Sequence, residues 1–177
     1  REIGNDTNIA GLYQNLGLIH YSNEDFDQAL NYFEKSIFLY RELADTQNIG
    51  VTFSNIGLIQ LRQMYYEEAF ESFEKSLTIF ETTNYKLGKL WALHNMGTVR
   101  LSQQQFDKAE KYYTASFDLA GKLKSPEGKL SNLNALTELM EQMGRFEDAF
   151  YYYTDYTELK DSIKALEIGR ASCRERV

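Results

Sequence analysis

The feature that most limits how this chain can fold is an offset of 40 residues, under which its anchor positions fall on one another. The second copy carries Phe53, Asn55, Ile56, Gly57, Tyr66, Ala69 and Phe73. Forty residues earlier stand Tyr13, Asn15, Leu16, Gly17, Phe26, Ala29 and Phe33, and 40 later Leu93, Asn95, Met96, Gly97, Phe106, Ala109 and Tyr113. A last shift of 40 reaches Leu133, Ala135, Leu136, Thr137, Phe146, Ala149 and Tyr153. Copies in register, without insertions, mark a solenoid, in which each unit buries its apolar face only against its neighbours. The units fall at about 5–44, 45–84, 85–124 and 125–164.

Within the first unit, Ile9, Leu12, Tyr13, Leu16, Ile19 and His20 follow the 3-4-3 spacing of one helical stripe. That spacing predicts a first helix over about 8–21 with those six residues in the core. Ser22, Asn23, Glu24 and Asp25 interrupt it with capping groups and with acids placed for a helix start. A second helix is expected over about 25–44, its stripe being Phe26, Ala29, Leu30, Phe33, Ile37 and Tyr40. Ser125, Pro126 and Glu127 read as cap, first residue and acid of a later helix. No segment alternates as a strand does. The expectation is an all-α, right-handed superhelix of four helix-turn-helix repeats. Gly17, Gly57 and Gly97 fall in mid-helix, where glycine costs about 1 kcal/mol against alanine. Close approach of the paired helix, with Ala29, Ala69, Ala109 and Ala149 opposite, is the expected compensation. Phe33, Phe73, Tyr113 and Tyr153 would fill the wider gap one turn further on.

At these anchors the chain resembles the tetratricopeptide repeat family, over residues 1 to about 165. That family's unit is a bulky residue, then Leu-Gly, then Tyr, Ala and Phe across a helix-turn-helix, usually 34 residues long. Arg41, Glu81, Gly121 and Asp161 stand where the family usually has proline. The resemblance therefore implies a long form, with second helices one or two turns longer. Unit four departs most, with Thr137 for Gly and Met140 for Tyr, and reads as a degenerate last repeat. The stretch Leu159, Lys160, Asp161, Ser162 and Ile163 looks like the region preceding the membrane helix or output domain of some bacterial sensor kinases and transcriptional regulators.

Both ends depart from the repeat. Arg1, Glu2, Ile3 and Gly4 match Arg41, Glu42, Leu43 and Ala44, so residues 1–4 read as the end of a truncated upstream repeat. The solenoid then occupies 1–167. Residues 168–177 have no counterpart in any unit, and ten codons of a sequencing adapter encode them in order. They read as a non-native tail.

Charge and residue types narrow the function. Lys and Arg number 19 against 26 Asp and Glu. Without Arg170, Arg174, Arg176 and Glu175 of the tail the balance is 16 against 25. An acidic chain with no basic cluster argues against nucleic-acid binding by this segment. No apolar run approaches the roughly 18 residues of a membrane span. His20 and His94 share no partner at ligand spacing, and no nucleophile motif is present. His20 reads as a core histidine, and the glycines fall in helices rather than in a phosphate-binding loop. The expectation is a binding module, not an enzyme, with no cofactor or metal.

Its binding face is expected on the side of each first helix opposite the core stripe. Gly11, Gln14, Leu18 and Tyr21 lie there in unit one, and Val51, Ser54, Leu58 and Leu61 in unit two. Unit three offers Trp91, His94, Thr98 and Leu101, and unit four Ser131, Asn134, Glu138 and Glu141. The family resemblance implies that this side lines a concave groove. Packing on neighbouring repeats would account for the same leucines, and the two readings stand level. Asn15, Asn55 and Asn95 border the face, one per unit. An amide that donates and accepts can pair with an extended peptide backbone whatever its sequence, as a similar Asn does in kinesin light chains. Hydrogen bonding within the repeat is the alternative. The family's dicarboxylate clamp of groove Lys and Arg is not matched. The partner expected is therefore a protein or extended peptide. The host expected is a bacterial signalling protein, cytoplasmic or periplasmic in this portion, against an assembly adaptor or a regulatory module fused to an enzyme.

Overall fold

The computed structural model describes the backbone of residues 3–174 and the side chains of residues 6–167. Among the described residues are eight α-helices and no strand: α1 (Ile3–Ser22), α2 (Phe26–Glu42), α3 (Thr46–Arg62), α4 (Tyr66–Thr82), α5 (Lys86–Ser102), α6 (Phe106–Leu123), α7 (Pro126–Gln142) and α8 (Phe146–Arg174). Consecutive helices pack as antiparallel pairs, α1 with α2 through α7 with α8, and each pair packs on the next. The expected second helix over 25–44 is shorter, 17 residues, and the first helices α3, α5 and α7 are also 17. The extra length of the 40-residue unit is thus shared by both helices rather than held by the second alone.

Every connection is built alike. One residue in each adopts the left-handed conformation: Glu24, Ala44, Met64, Asn84, Gln104, Lys124 and Gly144, with φ between 52° and 72°. The amide of the following residue reaches back to a carbonyl five residues earlier, as Asp45 does to Tyr40, Tyr65 to Gln60 and Arg145 to Met140. This is the glycine-type helix stop, made six times without glycine, although an L side chain costs roughly 1–2 kcal/mol in that conformation. Gly144 has the residue that most favours it and Asn84 one that tolerates it, so one glycine does lie in a turn. Asp25, Asp45 and Ser125 cap the next helix through their side chains, and Pro126 opens α7 as expected.

The core lies between the second helix of one unit and the first helix of the next. Ala29 and Phe33 of unit one meet Ile59 of unit two; Ala69 and Phe73 meet Met96 and Val99; Ala109 and Tyr113 meet Leu136, Leu139 and Met140. This arrangement corrects the reading of the first unit. Leu12, Leu16 and Ile19 are 60%, 37% and 55% exposed, whereas Ile59, Val99 and Leu139, the counterparts of Ile19, are at 0%. The later positions are covered by the preceding unit's second helix, and no described helix precedes α1. His20 is likewise not a core residue: its Nδ1 lies 3.0 Å from Asp25 and its ring stacks on Tyr32.

The role of the mid-helix glycines also differs from the expected helix–helix approach against alanine. A Cβ at Gly17 would fall 2.5 Å from the Phe33 ring, and at Gly57 or Gly97 2.7 Å from Phe73 or Tyr113. Each glycine makes room for the large ring of its own unit. Unit four carries Thr137 at that place, and Tyr153 is 54% exposed, where Phe33, Phe73 and Tyr113 are at most 1%. At the ends, α1 runs unbroken through Ile3 and Gly4, where the register put a unit boundary, and α8 continues as backbone through residues 168–174. Residues 1, 2 and 175–177, and the side chains of the remaining terminal positions, lie outside the described residues.

Candidate functional site

The first helices of successive units touch one another, α1 with α3, α3 with α5 and α5 with α7. Among the described residues the second helices make no such contacts. The row of first helices is therefore the tighter side of the bend, and the face they share is its hollow.

Two pockets open along this row. One, of about 330 Å³, is lined by Val51, Ser54, Asn55 and Leu58 of α3, Gly88, Trp91 and Asn95 of α5, with Phe80 and Tyr85. Its depth rests on Gly88, where a Cβ would meet the rings of Tyr85 at 2.5 Å and Phe80 at 2.8 Å. Phe80 and Tyr85 meet edge to face at 5.2 Å, closing the base with aromatic surface. Asn55 and Asn95 stand half-buried at the same pocket, and neither side-chain amide hydrogen-bonds another described residue. Their hydrogen-bonding capacity is thus not taken up within the repeat.

The second pocket, about 430 Å³, lies one unit further on, among His94, Thr98, Leu101 and Ser102 of α5, Ser131, Asn134, Ala135, Glu138 and Gln142 of α7, with Gln104 and Tyr113. Behind it runs a buried polar chain. Asn132 is fully buried and donates its amide hydrogens to Ser116 Oγ at 2.9 Å and to the Gly128 carbonyl at 2.8 Å. Its Oδ1 faces His94 Nδ1 at 3.0 Å and must accept, so Nδ1 of His94 carries the proton and Nε2 a lone pair. Burial lowers the His94 pKa below the ordinary value, with the Asn132 hydrogen bond opposing. The ring is therefore neutral near pH 7. Burial pushes the Tyr113 phenol up to about 12, and its hydroxyl donates to Thr98 Oγ1 at 3.1 Å.

The anticipated groove residues divide between these pockets and the core. Val51, Asn55, Leu58, Trp91 and Asn95 come together in the apolar pocket, and His94 lines the polar one. Leu101 lines the polar pocket but is buried in the core, Leu58 and Leu61 both pack against the Phe73 cluster, and Tyr21 packs on Phe26 at 6.2 Å. Asn15 and Leu18 are exposed on α1 and belong to neither pocket. In unit four, Gln142 rather than Glu141 joins Glu138 at the pocket. Phe80 and Tyr85 escaped the sequence reading because they lie off the first-helix face it followed, and Gly88, which lies on that face one turn before Trp91, because it has no side chain to mark it. Asn132 carried a signal: it is an amide at the stripe position held by Thr52 and Ala92 in the preceding units.

Comparison with known proteins follows the same division into units. A family model described as Tetratricopeptide repeat matches residues 8–82 and 88–162. No curated protein sequence matches the chain. Among solved structures, it is similar to aspartyl phosphate phosphatase F from Bacillus subtilis, with TM-score 0.85 and 16% identity over 89% of this chain and 42% of that one. It is similar to the apo form of RapI, with TM-score 0.79 and 18% identity over 89% and 44%. It is similar to BtubC from P. vanneervenii, with TM-score 0.77 and 15% identity over 88% and 64%. The chain spans less than two thirds of each of these three structures. At such identities the likeness is one of fold.

Proposed function

The chain belongs to the tetratricopeptide repeat family, and from that membership we propose that it works as a peptide-binding module whose ligand lies extended along the row of first helices. A helical repeat scaffold for protein interaction is the general role its family and fold support. The finer reading rests on one observation: the apolar pocket of Val51, Leu58 and Trp91 has at its edge two amides, Asn55 and Asn95, without partners among the described residues. Apolar side chains of a peptide would supply affinity there, and the amides would pair with its backbone. Charged residues are absent from that pocket, so the peptide segment it takes is apolar.

This function is binding rather than catalysis, performed as the sensory or regulatory part of a larger bacterial signalling protein. Residues 168–177 are read as foreign to it. A peptide-library selection followed by titration tests the reading, with the single Trp91 as a fluorescence reporter in the parent. Leu58→Ser and Trp91→Ser should each remove most of the binding of a selected peptide while leaving the helical spectrum of the folded chain unchanged, Leu58→Ser with a lower melting temperature because Leu58 also packs on the Phe73 cluster. Asn55→Ala should weaken different peptides alike, by roughly 0.5–1.5 kcal/mol for one net hydrogen bond. Undiminished affinity in all three would exclude this face.

A further inference from the structure

We propose that the pocket between α5 and α7 is a second subsite of the same groove, which takes a guanidinium or ammonium side chain four residues along the peptide from the apolar anchor. The inference rests on the peptide reading above and adds to it a ligand chemistry and a register.

The chemistry follows from where the hydrogens of the pocket already go. Thr98 donates to the His94 carbonyl, Ser102 to the Thr98 carbonyl, and Tyr113 to Thr98. Gln142 donates to Glu138 Oε1 at 3.2 Å. His94 is held with its one ring proton on Asn132. Ser131, Asn134, Gln104 and the second Gln142 amide hydrogen keep donors as well, but the one charge in the lining is the Glu138 carboxylate, with lone pairs beside it at Nε2 of His94 and on the Ser102 oxygen. No Lys or Arg lines the pocket. A side chain with several N–H donors and a positive charge fits such a lining, and an acidic one is repelled. A guanidinium, with five donors in a plane, can answer more than one acceptor at once.

The register follows from the spacing of the units. Packed helices lie roughly 8–10 Å apart, and the apolar pocket uses α3 and α5 where the polar one uses α5 and α7. Across the row the two subsites are thus one helix spacing apart, and along α5 they are displaced by about seven residues, from Gly88, Trp91 and Asn95 to His94, Thr98, Leu101 and Ser102, or roughly 10 Å, which puts them roughly 13–15 Å apart. An extended peptide strand rises about 3.3 Å per residue with alternate side chains on one face. Residues i and i+4 then point to the same side about 13 Å apart. A polyproline II segment returns to one side only at about 9 Å or about 19 Å, which misses that separation. The ligand is therefore an extended, strand-like segment with an apolar residue and a cationic residue at i and i+4, read in either chain direction.

The experiment is a selection from a random dodecapeptide library on the full chain and, in parallel, on Glu138→Gln and Glu138→Lys. Glu138 is exposed on α7, so neither substitution disturbs the core. The expected result is Arg or Lys enriched four positions from the apolar anchor on the parent, lost on Glu138→Gln and replaced by Asp or Glu on Glu138→Lys. For one selected peptide, replacing its Arg by citrulline should weaken binding about tenfold or more on the parent and change little on Glu138→Gln. Peptides that share the apolar anchor with no cation at fixed spacing would overturn the second subsite while leaving the groove standing. A cation preference that survives in Glu138→Gln and Glu138→Lys would overturn it equally. Failure to select any peptide dependent on Leu58 and Trp91 would bring down the groove itself.

Discussion

Gly57→Ala separates the two explanations of a mid-helix glycine. In an open helix the change stabilises by about 1 kcal/mol, because alanine is the better helix former. At Gly57 the new Cβ would stand 2.7 Å from Phe73 Cε1 and 2.9 Å from Cδ1 and Cζ. Ordinary contact begins near 3.4 Å, so the ring must retreat by about 0.7 Å. Phe73 is fully buried against Ala69, Met96 and Val99, and it has little room to do so. Overpacking of this kind costs roughly 1–3 kcal/mol, and expelling the ring altogether approaches the roughly 3–5 kcal/mol of a Phe→Ala change. The expected net effect is a loss of about 1–2 kcal/mol, read as a lower urea midpoint at unchanged m-value by far-UV circular dichroism. Gly121→Ala is the control. Its Cβ would meet only the flexible end of Lys129 at 3.6 Å, so that variant should gain up to about 1 kcal/mol. Adding Phe73→Leu to Gly57→Ala should cost less than the two single changes together, since the smaller side chain relieves the clash. A Gly57→Ala chain as stable as the parent would refute the ring-clearance argument, and the exposure of Tyr153 beside Thr137 would then need another cause.

Ala69→Leu should cost roughly 1–3 kcal/mol and Phe73→Ala roughly 3–5 kcal/mol; thermal melts matching the parent in both would show that the junction between units two and three is wrongly drawn. Lowering the pH from 7 to 5 should destabilise the fold through His94. Its folded pKa lies below the ordinary value of 6.5, so the unfolded chain binds the extra proton first and stability falls as pH drops below that value. His94→Gln should flatten this part of the profile, and an unchanged slope would show that His94 does not contribute. Deleting residues 168–177 should leave the melting temperature and the helical spectrum nearly unaltered; a large loss would make that segment part of the fold.

Much of the architecture was legible because it repeats. The anchors Ala29, Ala69 and Ala109 and the rings Phe33, Phe73 and Tyr113 recur at one spacing, and burial at 0–1% follows the same spacing. What a stripe cannot carry is which neighbour covers it, and so Leu12, Leu16 and Ile19 read as core yet face outward. The apolar half of the groove was legible from Val51, Leu58 and Trp91, but its aromatic base was not, because Phe80 and Tyr85 come from the end of α4 and the turn after it. The turns were the least legible. Glu24, Ala44, Met64, Asn84, Gln104 and Lys124 share a backbone conformation and nothing in their side chains. The conformation is imposed by the helices on either side.

Those seven like turns have a mechanical consequence. Apart from successive pairs, contact passes only between first helices one unit apart, and nothing among the described residues ties α1 to α7 or α8. The molecule is in effect a short coil spring. A rotation of a few degrees at each junction leaves every local contact in place, yet the rotations add along the chain and change the pitch. An apolar side chain wedged between α3 and α5 would open one junction. The strain would be spread over its neighbours, so that the distance between the two ends of the chain reports what lies in the middle.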